Sequence, residues 1–136
     1  MRILLDTNIV LDKLAAREPF KGDADRIFNL IGNNELTGYI TVAGVTDIYY
    51  ILRKKLSDID CRNALRRLFD VLNILTVTRD DCEAALELPL EDFEHALIMA
   101  SAEKVNVDFI ITRDEVFLKA PRTMSPSNFL IMWEKS

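Results

Sequence analysis

Two short apolar runs, Ile3-Leu4-Leu5 near the start and Phe109-Ile110-Ile111 far downstream, carry no polar residue in alternation. A strand with one wet face alternates apolar and polar residues, so runs like these read as strands buried on both faces. Around them, apolar residues recur at helical spacing: Ala24, Ile27, Phe28 and Ile31; Val45, Ile48, Tyr49 and Leu52; Cys61, Leu65, Leu68 and Leu72. Strand and helix patterns alternate along the chain, which predicts a three-layer α/β/α sandwich around a central, mainly parallel sheet. At 136 residues, with no internal repeat and no linker, a single domain over residues 1–136 is expected.

Strands are predicted over residues 3–5, 39–42, 74–77 and 108–112. A short helix over 9–15 is followed by one that Gly32-Asn33-Asn34 closes, and a third is headed by Gly44 and ends in Arg53-Lys54-Lys55. Ser57 or Asp58 caps the next helix. Thr78 or Arg79-Asp80 opens a short one that stops before Pro89, because the residue preceding a proline disfavours the helical region. A long helix is expected over 91–105, then a turn through Phe117, a loop with Pro121, and a last helix led by Ser125-Pro126-Ser127 and ending near Trp133.

Composition excludes several classes of function. Cys61 and Cys82 lie apart with no CxxC spacing, which argues against a zinc site or a disulfide framework. No apolar run approaches the roughly 20 residues that span a bilayer, so a cytoplasmic protein with no membrane partner is expected. The formal net charge of −5 argues against a generalist binder of nucleic acid. Residues 53–67 depart from this balance: six basic residues against two acids give the segment +4 and leave −9 for the rest. Arg53, Lys54, Lys55, Arg62, Arg66 and Arg67 are therefore candidates for holding an anionic polymer. A solvated helix face, with basic residues favoured in a last turn, accounts for the same charges structurally.

Acids gather at the predicted strand ends. Asp6 follows strand 3–5, and Asp114 follows strand 108–112 in the string Ile-Ile-Thr-Arg-Asp. In open α/β sheets ligands bind outside the carboxyl ends of the strands, so the two acids share one crevice if their strands are neighbours. Asp6 alone reads equally well as a helix N-cap. Asp92 in the first turn of the long helix and Asp47 near the start of the Gly44 helix complete the set, although helix dipoles favour acids at both positions. Clustered carboxylates repel unless protons or a cation intervene, so an all-oxygen pocket implies Mg²⁺ or Mn²⁺. Water bound to such an ion can attack a phosphodiester while the metal neutralises charge on the phosphate.

Four blocks in this order, LLDTNIVLD, VTDIYYIL, DFEHALIMASA and FIITRD, resemble the PIN-domain family, many of whose members are VapC-type toxin ribonucleases. The resemblance implies a magnesium- or manganese-dependent endoribonuclease acting on RNA, often a homodimer and often held by a small antitoxin. Asp6 stands at the family's first acid and Asp114 near its last. Asp47 stands where the family usually has Glu, and His95 where the third acid is usually found, with Asp92 one helical turn earlier. Residues i and i+3 share a helix face, so Asp92 can take over that role, with His95 as second ligand, general base or structural hydrogen-bonder. The expected site is thus Asp6, Asp92 and Asp114 on the metal, Asp47 completing the acidic pocket, His95 beside them, and Thr7 or Asn8 orienting a water or a phosphate oxygen. The alternative is a PIN-fold nucleic-acid-binding module whose catalysis His95 has weakened or removed. Phosphotransfer proteins on similar sheets fit poorly: a haloacid-dehalogenase-type phosphatase would carry Asp at position 8, which is Asn8, and Thr7 breaks the paired acids of a receiver. Tyr49, Tyr50 and Trp133 are candidates for a dimer interface, with core packing as the competing use.

Overall fold

The computed structural model describes residues 1–136. Its elements, in chain order, are β1 (Arg2–Leu5), α1 (Thr7–Leu14), α2 (Lys21–Gly32), β2 (Thr37–Thr41), α3 (Val42–Leu52), α4 (Asp58–Val71) and β3 (Asn73–Leu75). They continue through α5 (Arg79–Leu86), α6 (Phe93–Glu103), β4 (Phe109–Ile111), a 3-10 turn (Phe117–Lys119), β5 (Thr123–Met124) and α7 (Pro126–Glu134). The five strands form one sheet in the order β3-β2-β1-β4-β5, and every pairing is parallel.

Strand geometry explains the two apolar runs. Leu4 pairs with Ile110 and Leu5 with Ile111, and successive side chains point to opposite faces. Ile3, Leu5, Ile40 and Ile111 join a core with residues of α1, α2, α3, α4 and α7. Leu4, Ile110 and Leu75 join a second core with Ile98, Met99 and Ala102 of α6. Both faces are therefore covered, as the sandwich requires. Ala96 and Ala100 on α6 meet Ala85 on α5, so the small residues in the middle of α6 let the two helices approach closely.

The observed elements differ from the predicted ones mainly at their ends. β2 stops at Thr41, whose hydroxyl accepts the Gly44 amide, so Val42 opens α3 instead of ending a strand. β3 ends at Leu75, leaving Thr76 and Val77 outside the sheet. α6 is shorter than 91–105, and Asp92 stands at its N-cap instead of in its first turn. β5 lies in the segment read as a loop, where two residues pair with Ile110 and Ile111 at the sheet's edge. No helix is long and apolar enough to cross a membrane.

β1 lies at the centre of the sheet. From it the chain builds outward through β2 and β3, then returns to the other side for β4 and β5. The direction of winding thus reverses between β1 and β4, which opens a crevice at their carboxyl ends. α3 closes one side of it: a Cβ at Gly44 would lie 3.1 Å from Thr7 Oγ1, so the residue lets the start of α3 sit against the start of α1.

Candidate active site

Asp6 and Asp114 meet at this crevice because β1 and β4 are hydrogen-bonded neighbours. The Asp6 amide donates to Ile111 O at 2.9 Å, which locks the end of β1 to the end of β4. Asp6 Oδ2 accepts the Thr112 hydroxyl at 2.7 Å, while Thr112 Oγ1 accepts the Asp114 amide at 3.0 Å. Thr112, wholly buried, therefore ties the two acids together. Asp6 Oδ1 accepts the Thr7 amide at 2.8 Å, so the N-cap role and the crevice position belong to the same carboxylate. Burial pushes the Asp6 carboxyl above its ordinary range and nearby Asp114 adds to the rise, outweighing the Thr112 and Thr7 hydrogen bonds and the His95 charge.

The other predicted acids, with His95, Thr7 and Asn8, line the same cleft, an open hollow of about 340 Å³. Its walls include Asp47 from α3, Asp92 and His95 from α6, and Thr7 and Asn8 from α1. Asp92 Oδ1 caps α6, accepting the amides of Glu94 at 2.9 Å and His95 at 3.2 Å. Asp114 Oδ1 likewise accepts the amides of Val116 and Phe117, and its Oδ2 lies 3.5 Å from His95 Nε2. Each acid thus keeps one oxygen free of backbone bonds. The His95 ring stacks on Phe117, centroids 4.2 Å apart and planes 7° from parallel, so it is held by packing as well as by its contact with Asp114.

Three residues in the site escaped the sequence reading. Glu94 lines the cleft between Asp92 and His95, and burial of its carboxyl, followed by the charges of Asp47, Asp6 and Asp92, pushes it above the usual range. Its place in the first turn of α6, two residues after a candidate acid, was the available signal. Arg17 enters the cleft from just beyond α1. Thr112 was visible only as a strand end.

The basic segment does not reach this cleft. Lys54 and Lys55 line an adjoining groove, whereas Arg62 and Arg66 line a separate hollow with Leu65 and Phe69. Arg62 pairs with Asp58 at 2.9 Å, Arg66 donates to Asn63, and Arg53 to Leu56 O.

The donor set suits a hard cation. It offers carboxylate oxygens, and two of the carboxyls, those of Asp6 and Glu94, are pushed toward protonation by burial among the others. Yet no three His, Cys, Asp or Glu side chains converge closely enough to hold one ion in this conformation. Asp6, Asp92 and Asp114 are thus available for a metal without being drawn together around one.

A sequence profile of the PIN domain matches residues 2–115. A search of curated protein sequences returns no match. Among solved structures, a toxin-antitoxin complex from Klebsiella pneumoniae is similar at a TM-score of 0.69 and 22% identity, over 91% of this chain and 97% of that one. VapC20 of Mycobacterium tuberculosis, described as a sarcin-ricin loop cleaving toxin, gives 0.69 at 19% identity, over 88% and 95%. VapBC2 of Rickettsia felis, bound to a promoter DNA fragment, gives 0.64 at 17%, over 92% and 97%. At such identities the structural likeness speaks for the fold, and the profile, which spans most of the chain, decides the family: this chain belongs to the PIN-domain family.

Proposed function

We propose that the chain is a VapC-like, divalent-metal-dependent endoribonuclease, the toxin partner of a small antitoxin. The observation that carries this reading is the Thr112 bridge, which sets Asp6 and Asp114 side by side in a cleft that also holds Asp47, Asp92 and Glu94. Asp6, Asp92 and Asp114 would hold Mg²⁺ or Mn²⁺, with Asp47 and Glu94 at the rim. The bound ion would supply Lewis-acid charge and an activated water. Thr112 and Thr7 aim the Asp6 carboxylate, and the Asn8 amide nitrogen, 3.5 Å from Asp6 Oδ2, is placed to orient a water or a phosphate oxygen beside it. His95 Nε2, 3.5 Å from Asp114 Oδ2, is placed to serve as a second ligand or as a general base beside that carboxylate. The antitoxin partner and the RNA substrate are supported by the kind of protein found among the structural neighbours, and homodimerisation by the family resemblance.

Cleavage of RNA by the purified protein with Mn²⁺ or Mg²⁺, abolished by EDTA, is the expected result. Asp6→Asn should reduce the rate by about 100-fold or more, in the range seen when a charge-stabilising group is removed. Undiminished activity in that variant would refute the assignment.

One observation favours a second reading, a binding module with weakened catalysis: no three possible ligands converge on one point, in a cleft where the resemblance puts His95 at the usual place of an acid. Calorimetric titration with Mn²⁺ separates the two. No uptake at millimolar metal, together with a gain of cleavage in His95→Asp, would establish the second.

A further inference from the structure

The acidic cleft contains one permanent cation. Arg17 shares its walls with Asp6, Asp47, Asp92, Glu94 and Asp114, yet it forms an ion pair with none of them. Its backbone is fixed from both sides. The Arg17 amide donates to Asp12 O at 3.0 Å, and its carbonyl accepts the amides of Phe20 and Lys21 at 3.0 and 2.8 Å. Ala16, immediately before it, stands in the left-handed region at φ 50°.

Arg17 and Ile51 also line the adjoining groove of about 420 Å³. That groove has the opposite electrostatic character. Its charged residues are Arg17, Lys54 and Lys55, no acid lines it, and Leu14, Leu52 and Leu56 contribute apolar surface. Neither lysine side chain makes a hydrogen bond or an ion pair, in contrast to Arg53, Arg62 and Arg66. A wholly cationic, part-apolar groove therefore leads up to a carboxylate cleft, and Arg17 stands at the junction.

We propose that Arg17 is a substrate-binding residue, its guanidinium gripping a phosphodiester at the mouth of the cleft while the RNA backbone continues over Lys54 and Lys55. The inference rests on the nuclease reading above and adds to it a path for the strand. Five carboxylates repel a polyanion, so a substrate needs cations placed beside the acids to approach them. Guanidinium offers paired donors matched to phosphate oxygens, and the apolar floor accepts ribose and base faces.

The test is fluorescence anisotropy of a labelled 20-nucleotide single-stranded RNA, titrated with the full chain in EDTA over a range of NaCl concentrations. Each lost phosphate contact should flatten the slope of log K against log salt by about 0.7 for a single strand. Arg17→Ala is expected to weaken binding about 10-fold and flatten the slope by that amount, with Arg17→Lys recovering the slope and part of the affinity. Lys54→Ala with Lys55→Ala should flatten it by about twice as much. Arg79→Ala, on the outer surface of α5, serves as the unchanged control, and far-ultraviolet circular dichroism verifies that every variant is folded. In the metal-loaded cleavage reaction Arg17→Ala should raise KM more than it lowers kcat.

Wild-type binding and slope in a folded Arg17→Ala variant, with RNA cleavage intact, would overturn this inference and leave the nuclease reading standing. A slope lost in Arg66→Ala with Arg67→Ala instead would overturn it in favour of a track along α4. Competition by polyglutamate as strong as by RNA of equal charge would overturn the assignment to RNA. A wild-type protein that neither binds nor cleaves RNA would overturn both readings.

Discussion

The Thr112 hydroxyl is a donor to Asp6 and an acceptor from Asp114, so one buried side chain sets the spacing of two acids that lie 108 residues apart in the chain. Thr112→Val keeps the shape and removes the oxygen. It leaves Asp6 Oδ2 and the Asp114 amide short of a partner, at a cost of about 1–3 kcal/mol. The expected outcome is a lower melting temperature together with a loss of RNA cleavage, and Thr112→Ser, which restores the hydroxyl, should recover most of both. The acids themselves were legible in the sequence because each follows an apolar run. The bridge was not, since it depends on which strands pair and in what register. Glu94 was not legible for a different reason: an acid in a helix's first turn is favoured by the dipole whether or not it faces a site, and only the placing of α6 against the cleft gives it one.

Packing of α5 on α6 depends on a charge as well as on alanines. Asp81, nearly buried, accepts the Thr78 amide in a capping box and the Lys104 ammonium at 2.6 Å, and Lys104 also donates to Thr76 O. Burial raises the Asp81 carboxyl, but Lys104 and Thr78 outweigh it and hold the group below its ordinary range. A depressed folded-state carboxyl contributes stability that is complete above the unfolded value of about 3.9 and is lost as the pH falls through the folded one. Asp81→Asn should therefore cost about 1–2 kcal/mol at pH 7, from the lost charge-assisted bond, and progressively less as urea denaturation is repeated below about pH 4. Long, periodic elements such as α2 and α4 were readable because one apolar stripe fixes a helix. β5 was not readable, because two residues at an edge carry no period at all; only pairing with β4 makes them a strand. Strand ends at Thr41 and Leu75 were misplaced where a cap or an absent neighbour, and not residue preference, decides where the ladder stops.

At the scale of the molecule, the two halves of the cleft are joined by a second long-range pair. Arg113 meets Asp12 of α1 through two bonds, of 2.6 and 2.8 Å, and its guanidinium lies 3.7 Å from the centroid of Phe20. Asp12 is almost wholly buried, so Arg113→Ala would strand a carboxylate and should cost about 3–5 kcal/mol in urea denaturation. Arg113→Lys should recover only part of this, because an ammonium cannot reproduce the two parallel bonds or the ring stacking. The sandwich was legible from alternation alone, but the choice of β1 as the central strand was not. That choice is what gathers residues from α1, α3, α6 and the β4 end at one crevice.

The central place of β1 also governs when the cleft can exist. Its neighbour β4 is made more than a hundred residues later, and the Asp6–Thr112 bond spans 106. Contacts of such separation form late and slowly, since a long loop must close before they reward it. A ribosome-bound chain that ends before Thr112 lacks both the bridge and Asp114, so the acidic cleft cannot be assembled while most of the chain is already made. The cleft arrives with the pairing of β1 and β4, in one late step of synthesis.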